Sequence, residues 1–117
     1  MQYMLLIYLE EKEWERLSAE EKRTAMERGD AVTRDLQAKG QLVGASALGP
    51  VATATTVRSR EGKTVFVDGP FAETREQLGG YYLIDVEDLD AALDVARRLH
   101  WLACTAIEVR PVTGCVE

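Results

Sequence analysis

The segment DGPFAETREQLGG, from Asp68 to Gly80, is the stretch of this sequence that says most about the fold. It places three glycines, one proline and four charged residues between two stretches that are rich in apolar residues. Hydrophobic periodicity does not explain this composition, since an ordinary connection between strands needs only a short turn. The segment therefore marks a specialised connection, and the residues on both sides of it indicate which elements it joins.

Two predicted strands, residues 2–9 and 81–86, are apolar on both faces. The two faces of the first strand carry Tyr3, Leu5, Ile7 and Leu9 on one side, and Met4, Leu6 and Tyr8 on the other. A strand with this pattern is covered on both faces in the folded protein. One layer of helices covers only one face, so the second face is a first indication of contact with another subunit in a dimer.

Two amphipathic helices are predicted, one on each side of the central segment. The first runs from about residue 19 to 39, because Ser18 and Glu21 form a capping box and Gly40 is typical after a helix end. The second follows the N-cap residue Asp88. The residues expected to face the core are Ala25, Met26, Gly29, Val32, Thr33 and Leu36 in the first helix, and Leu89, Ala92, Leu93, Ala96 and Leu99 in the second. Gly29 indicates either close packing or simple tolerance, since glycine inside a helix costs up to about 1 kcal/mol relative to alanine.

The remaining strands complete a single α+β domain that spans residues 1–117. They are predicted at 42–48, at 53–59 and 63–67, where Glu61-Gly62 supplies a hairpin turn, and at 107–112. The order is therefore strand, helix, strand, hairpin, strand, helix, strand. It fits a ferredoxin-like βαββαβ core with an inserted hairpin, in which the helices lie on one face of the sheet.

Composition argues against several classes of function. The chain has 20 acidic and 14 basic residues and a net charge of −6, and its basic residues are scattered, so nucleic-acid binding is not expected. No apolar run approaches the roughly 20 residues that span a bilayer, and the first residues lack the features of a signal peptide. We therefore expect a cytoplasmic protein with no membrane partner.

The cysteine and histidine content does not suggest a metal site. Cys104 and Cys115 lack the spacing of zinc ligands, and the single His100 cannot complete a zinc set. A disulfide between the cysteines is allowed but not needed in a reducing cytosol. We expect no metal, no cofactor, a structural or incidental role for both cysteines, and a capping or surface role for His100.

Four stretches of the chain closely resemble the DGPF branch of the YCII-related family. They are residues 67–84 around the opening segment, 3–8 at the start, 53–58 in the hairpin and 107–112 at the end. The resemblance implies a dimeric α+β barrel, in which two ferredoxin-like protomers place their sheets face to face. Such a dimer would cover the second face of the two apolar strands.

The resemblance also implies an enzyme-like cleft with a histidine and an aspartate, and relatives that look like lyases of small, often aromatic, compounds. The aspartate corresponds to Asp68. The histidine has no counterpart, because residues 26–30, Met-Glu-Arg-Gly-Asp, stand where many relatives have a histidine in the first helix. Residues 99–104 also lack the usual proline-containing turn. The missing histidine argues against proton transfer by a histidine–aspartate pair.

Each candidate residue of the central segment has two interpretations. Asp68 is a candidate catalytic general base, but aspartate before Gly69-Pro70 is also good turn chemistry. Gly69 and Pro70 give a sharp exit from the hairpin and a candidate ligand-binding loop. Phe71 either anchors that loop in the core or dimer seam or stacks on a ligand. Glu73 either belongs to a solvated face or contacts a ligand.

Two residues outside the segment are further candidates for ligand binding. Arg110 either clamps a carboxylate ligand or pairs with an acidic residue across the dimer interface. Tyr82 either lines a cleft with its hydroxyl group or packs in the core. Two functions follow. The protein binds a small acidic or aromatic metabolite near Asp68, with weak lyase-like activity, or it is a non-enzymatic module for ligand binding, regulation or protein interaction.

Overall fold

The computed structural model of the protein describes residues 1–114. Its strands are β1 (Gln2–Leu9), β2 (Leu42–Ala47), β3 (Thr55–Arg60), β4 (Lys63–Asp68), β5 (Gln77–Asp85) and β6 (Thr105–Pro111). Its helices are α1 (Glu11–Glu15), α2 (Ala19–Ala38) and α3 (Leu89–Leu99), and one 3₁₀ turn spans Val51–Thr53. No helix in residues 1–114 has both the length and the apolar character that a bilayer span requires.

Four strands form an antiparallel sheet in the order β2-β5-β1-β6. This arrangement confirms the α+β class and is compatible with a ferredoxin-like fold. Strands β3 and β4 form a separate two-stranded antiparallel sheet, and they lie in the chain between β2 and β5. The sheet of four is therefore built around β1 and β5, the two strands whose sequences are apolar on both faces.

The core lies on one face of the four-stranded sheet. Tyr3 and Leu5 of β1 are buried together with Ile84 of β5, and Tyr3 is paired with Ile84 in the sheet. The helices contribute the buried residues Val32 and Leu36 from α2, and Ala92, Val95 and Ala96 from α3. Because alternate residues of a strand point to opposite faces, both helices cover the face that carries Tyr3, Leu5 and Ile84.

The opposite face of the sheet has no helix over it within residues 1–114. We call it the open face. Its apolar residues are Met4, Leu6 and Tyr8 from β1, and Leu78, Tyr81 and Leu83 from β5. Tyr8 lies beside Leu78 because the register shifts by one residue between Ile7 and Tyr8. The protomer thus leaves apolar side chains of its two central strands partly exposed.

The surface of the chain is large for its mass. It exposes 8381 Å², whereas a compact monomer of 13.0 kDa exposes about 6300 Å². The radius of gyration is 16.0 Å, against about 13 Å for a compact domain of this length. The chain is flat, with extents of 48 × 41 × 18 Å. About 2000 Å² of surface therefore exceeds what a compact monomer would show.

Several predicted boundaries are wrong in detail. Strand β5 begins at Gln77 rather than at residue 81, so Gly79 and Gly80 lie inside a strand and not in the connection. A Cβ atom at Gly80 would approach the carbonyl oxygen of Ser46 to 3.0 Å. Glycine at this position therefore allows β2 to pair closely with β5. Helix α1 and the 3₁₀ turn were not predicted, because each is too short to show an apolar periodicity.

The predicted core stripes of the helices are only partly correct. Met26 of α2 is 65% exposed, because α2 is buried mainly through its C-terminal half. Leu89 and Leu93 of α3 are exposed, while Val95, which was not predicted, is buried. Helix α3 thus rests on the sheet through the small side chains near its middle.

Polar contacts tie the two long helices together. The guanidinium group of Arg98 in α3 donates a hydrogen bond of 2.8 Å to Asp35 in α2, and Lys39 also pairs with Asp35 at 3.1 Å. These two bases hold the pKa of Asp35 below its usual value. Arg28 of α2 lies over the ring of Trp101, which follows α3, at 5.0 Å. The contacts are partly exposed, so they orient the helices more than they stabilise the fold.

The capping box of α2 gives a testable prediction. The backbone N–H of Glu21 donates to the Ser18 hydroxyl, and that of Ser18 donates to the Glu21 carboxylate, both at 3.0 Å. Ser18→Ala should lower the free energy of unfolding by about 1 kcal/mol, measured by urea denaturation at neutral pH. The matched control is Gln37→Ala, at an exposed glutamine of the same helix, which should change it by less than about 0.5 kcal/mol.

The pH dependence of this cap has a defined sign. Hydrogen bonds from Ser18 lower the pKa of Glu21, so the ionised carboxylate stabilises the fold above the unfolded-state pKa. That stability is lost as the pH falls through the lower folded-state pKa. The stability difference between Glu21→Gln and the parent protein should therefore shrink on acidification. A difference that grows would contradict the assignment of the cap.

Two glycines predict opposite effects of the same substitution. A Cβ atom at Gly29 in α2 meets no atom within 4 Å, so this glycine is tolerated rather than required, and Gly29→Ala should stabilise the protein by about 0.5–1 kcal/mol. Gly69 has a φ angle of 111°, where a side chain is strained, so Gly69→Ala should destabilise it by about 1–3 kcal/mol. Thermal and urea unfolding measure both. Equal effects of the two substitutions would argue against this backbone conformation.

Candidate functional site

A groove of about 640 Å³ lies between α1 and the connection from β4 to β5. Its lining includes Glu10, Glu11, Lys12, Glu13 and Arg16 on the side of α1, and Pro70, Glu73, Thr74, Arg75 and Gln77 on the side of the connection, with Val51 at one end. The specialised segment noted in the sequence thus forms one wall of the groove.

Two hydrogen bonds fix the wall formed by α1 at the start of the helix. The backbone N–H of Glu10 donates to the carbonyl oxygen of Cys104 at 3.0 Å. The carboxylate of Glu11 accepts a hydrogen bond of 3.0 Å from the backbone N–H of Val51. Glu11 therefore holds the 3₁₀ turn in place and is a structural member of the groove.

The opposite wall is held by side-chain hydrogen bonds to the backbone. The amide of Gln77 donates to the carbonyl oxygens of Ala72 at 2.6 Å and Thr74 at 3.0 Å. The hydroxyl of Thr74 donates to the carbonyl oxygen of Glu76 at 2.6 Å. These bonds satisfy the backbone of a segment without regular structure, which gives this wall a defined shape.

The charges of the groove are mixed, with four glutamates and three basic residues in its lining. Arg16 pairs with Glu13 at 2.6 Å, and Arg75 lies 3.5 Å from Glu10. Within residues 1–114, Lys12 and Glu73 form no ion pair, and they stand on opposite walls. A positive and a negative group are therefore available to a ligand.

A second opening continues the groove towards the open face of the sheet. It measures about 690 Å³ and shares Glu10, Thr74 and Arg75 with the first. Its far side carries Tyr8, whose hydroxyl donates to the carboxylate of Glu108 at 3.3 Å. Burial and the neighbouring Glu108 carboxylate raise the pKa of Tyr8, while the nearby positive charge of Arg110 opposes the rise.

The structure separates the residues that the sequence grouped around the central segment. Pro70 and Glu73 line the groove. Asp68, at the end of β4, is exposed and is not part of the lining. Gly69 makes the turn, since its N–H donates to Ala54 at 2.8 Å and its carbonyl accepts from the Thr56 hydroxyl at 2.8 Å.

Phe71 is not in the core of the protomer, which corrects one of its two expected structural roles. Its side chain is 75% exposed, and the guanidinium group of Arg58 in β3 lies over its ring at 5.0 Å. Arg58 also donates to the carbonyl oxygen of Phe71 at 3.2 Å. The aromatic ring thus lies on the β3–β4 hairpin, outside the groove.

Tyr82 and Arg110 lie away from the groove. The hydroxyl of Tyr82 is 2.7 Å from that of Thr33 on the helix-covered side of the sheet, where the Thr33 hydroxyl donates to the carbonyl oxygen of Gly29 at 2.9 Å. Tyr82 lines a separate cavity of about 320 Å³ between α2 and the β2 edge. Arg110 is exposed on the open face, two positions along β6 from Glu108.

The residues of α1 are the part of the groove that sequence reasoning missed. Lys12 and Arg16 belong to a short charged segment that shows no apolar stripe, so no element was predicted there. The high helix propensity of its glutamates and lysine was the only available signal. Five residues are too few for such a signal to be decisive.

His100 and Cys104 lie in surroundings that favour a structural role over a chemical one. His100 is the C-cap residue of α3, and its Nε2 lies 2.8 Å from the carbonyl oxygen of Thr105. Burial is the main cause that raises the pKa of the Cys104 thiol, which disfavours the reactive thiolate. Cys115 lies outside the described residues, as does any pairing with it. No group of three metal-ligating side chains occurs in the part of the chain that the structure describes.

Comparison with known proteins places this architecture in a family. The sequence model of the YCII-related domain matches residues 1–115. An uncharacterized protein of Rhizobium meliloti (strain 1021) is 42% identical over 117 residues, a match that covers all of this chain and 89% of the relative. Both matches include the central segment, the groove and the four strands of the main sheet. The chain therefore belongs to the YCII-related family.

Proposed function

We propose that the protein is a homodimer whose two open faces pack together as a dimeric α+β barrel, and that its groove binds a small metabolite. The observation that carries the proposal is the groove itself, where Pro70 and Glu73 of the central segment face the charged side chains of α1. We further propose assignment to the DGPF branch, on the basis of the segment from Asp68 to Phe71, and a cytoplasmic location.

The dimer is supported by surface that a single chain leaves uncovered. The open face presents apolar residues of both central strands. Exposing apolar surface to water costs a free energy of roughly 25 cal/mol for each Å². The excess of about 2000 Å² per chain agrees with permanent interfaces, which bury about 2000–5000 Å² in total. A second copy offers the same apolar face, so two chains can cover each other through identical surfaces.

Small-molecule binding is supported by the size and chemistry of the groove. Its volume of about 640 Å³ falls within the roughly 300–1000 Å³ of typical ligand sites. The extension past Tyr8 and Glu108 leads to the open face, so the ligand site would lie at the border of the dimer interface. A ligand there could contact both protomers.

The charges of the groove narrow the expected ligand class. The sequence favoured an acidic or aromatic metabolite, but carboxylates outnumber basic groups in the lining. A ligand with only acidic groups would meet an excess of negative charge. A small metabolite with one acidic and one amino group complements Lys12 on one wall and Glu73 on the other. We therefore favour an amino-acid-like ligand.

Binding without turnover is better supported than lyase-like chemistry. General acid–base catalysis needs a titratable group within reach of the ligand, and Asp68 is exposed outside the lining. The groove lining contains no histidine or cysteine, and three of its four glutamates already contact Arg75, the Val51 N–H or Arg16. The arrangement supports a non-enzymatic module for ligand binding and regulation, and lyase-like activity becomes the second candidate.

Charge-neutralising variants test the ligand site. Lys12→Gln and Glu73→Gln should each abolish most of the ligand-dependent rise in melting temperature, because each removes one of the two groups that would bind the ligand. The measurement is a thermal-shift screen of the protein amino acids and of short dicarboxylic acids at millimolar concentration. Asp68→Asn should leave the shift unchanged.

The matched control is Lys22→Gln, which removes the same charge from a position of α2 outside the groove. It should retain the parent response. A shift that survives both groove substitutions, or that is lost in Asp68→Asn alone, would contradict the assignment of the groove and favour the lyase-like alternative.

A charge on the open face tests the dimer. Leu6→Glu places a carboxylate among the apolar residues of that face and should weaken the dimer by at least about tenfold, since an unpaired buried charge is strongly unfavourable. Sedimentation velocity measures the association, and far-UV circular dichroism verifies that the variant is folded. Leu93→Glu, on the exposed side of α3, is the control and should remain as dimeric as the parent.

A further inference from the structure

We infer that the β3–β4 hairpin, residues 55–68, is an arm that docks on a second copy of this chain through the face that carries Val57 and Phe66. The name "arm" is used below for these residues. The inference rests on the proposed dimer and goes beyond it, because it assigns part of the interface to an element outside the four-stranded sheet.

The arm stands apart from the rest of the protomer. Its two strands pair with each other from Thr55–Asp68 to Arg60–Lys63, and neither strand joins the main sheet. No helix or strand of residues 1–114 packs extensively against it. An isolated two-stranded hairpin is only marginally stable in water, so this element needs a covering surface.

The two faces of the arm differ. On one face, the chain's own segment from Gly69 to Phe71 returns over the hairpin, and Arg58 contacts Phe71 while Thr56 bonds Gly69. On the other face, Val57 and Phe66 are directly paired across the strands. Their side chains are 60% and 74% exposed. An exposed aromatic–aliphatic pair of this kind marks an interaction surface.

The exposed surface area of the chain favours a second copy as the occupant. The chain exposes about 2000 Å² more than a compact monomer of its mass, and the arm is one of the protrusions that create this excess. This excess is as large as the area that a permanent homodimer buries, whereas transient complexes bury less.

Charge complementarity agrees with this choice. The arm carries three basic residues, Arg58, Arg60 and Lys63, against the acidic Glu61 and Asp68, so its formal charge is +1. The whole chain carries −6, and the remainder of it therefore carries −7. Because Arg58, Arg60 and Lys63 lie on the face opposite to Phe66, their charge would steer the arm towards the acidic body of a partner chain rather than contact the docked surface.

Photo-cross-linking from the face of the arm that carries Val57 and Phe66 tests the inference. Phe66→p-benzoylphenylalanine keeps an aromatic group at position 66, and irradiation of a mixture of ¹⁵N-labelled and unlabelled protein should give a covalent dimer that joins one chain of each kind. The matched control is Met26→p-benzoylphenylalanine, at an exposed apolar position on α2, which should give little or none of this product.

The outcomes separate the arm from the proposed dimer. If sedimentation finds a dimer but position 66 cross-links only within its own chain, to an unrelated protein, or no more than position 26, the arm inference is overturned and the dimer remains. If sedimentation finds a folded monomer, both are overturned.

In support of the arm, the double variant Val57→Ser and Phe66→Ser should weaken dimerisation by about tenfold or more, because it removes buried apolar surface.

A second double variant tests the contribution of the charges at the tip of the arm. Arg60→Ser and Lys63→Ser lie at the tip, on the face opposite to Phe66, and remove charge without removing apolar surface. They should weaken dimerisation at low salt and have little effect at high salt, where charges are screened. Association of this variant that equals the parent's at low salt, together with unchanged association of the Val57 and Phe66 variant, would contradict the inference.

Discussion

The pairing of β1 with β5 at the centre of the sheet is the interaction on which the rest of the structure depends. Leu5 pairs with Tyr82 and Tyr3 with Ile84, and the helices pack on the face that these residues share. The same two strands are also apolar on the opposite face, where the chain provides no cover within residues 1–114. The strand pair thus leaves apolar side chains partly exposed on the open face, and this exposure is the basis of the proposed dimer.

The groove follows from the same pair of strands. Chain connectivity requires the segment after β4 to return to the centre of the sheet, because β5 lies between β1 and β2. Residues 69–76 make this return beside α1, which directly follows β1. The groove therefore lies at the end of the sheet where β1 leads into α1 and where residues 69–76 lead into β5. Its second opening reaches the open face at Tyr8. The groove and the open face are neighbours for this topological reason.

Sequence patterns predicted the parts of the fold that rest on repeated local signals. The strand at residues 2–9 and the caps at Ser18 and Asp88 were predicted correctly, since alternation and capping residues act over a few neighbouring positions. The start of β5 was missed because Gly79 and Gly80 resemble a loop. Their role is visible only when β2 lies alongside, with the carbonyl of Ser46 close to Gly80.

The candidate site was predicted less well, for a physical reason. Proximity in sequence placed Asp68 and Phe71 with Pro70 and Glu73, but alternation along β4 and the turn at Gly69 send neighbouring residues to different surfaces. Lys12 and Arg16 were missed because a five-residue helix leaves no periodic pattern. A site formed by two distant segments depends on tertiary contacts that a single sequence does not display.

Sedimentation equilibrium of the unmodified protein, from nanomolar to micromolar concentration, tests the central claim most directly. If apolar strands on two protomers cover one another, the mass should be that of two chains throughout most of this range. A single chain that remains fully folded at micromolar concentration would contradict the claim that the open face requires a partner.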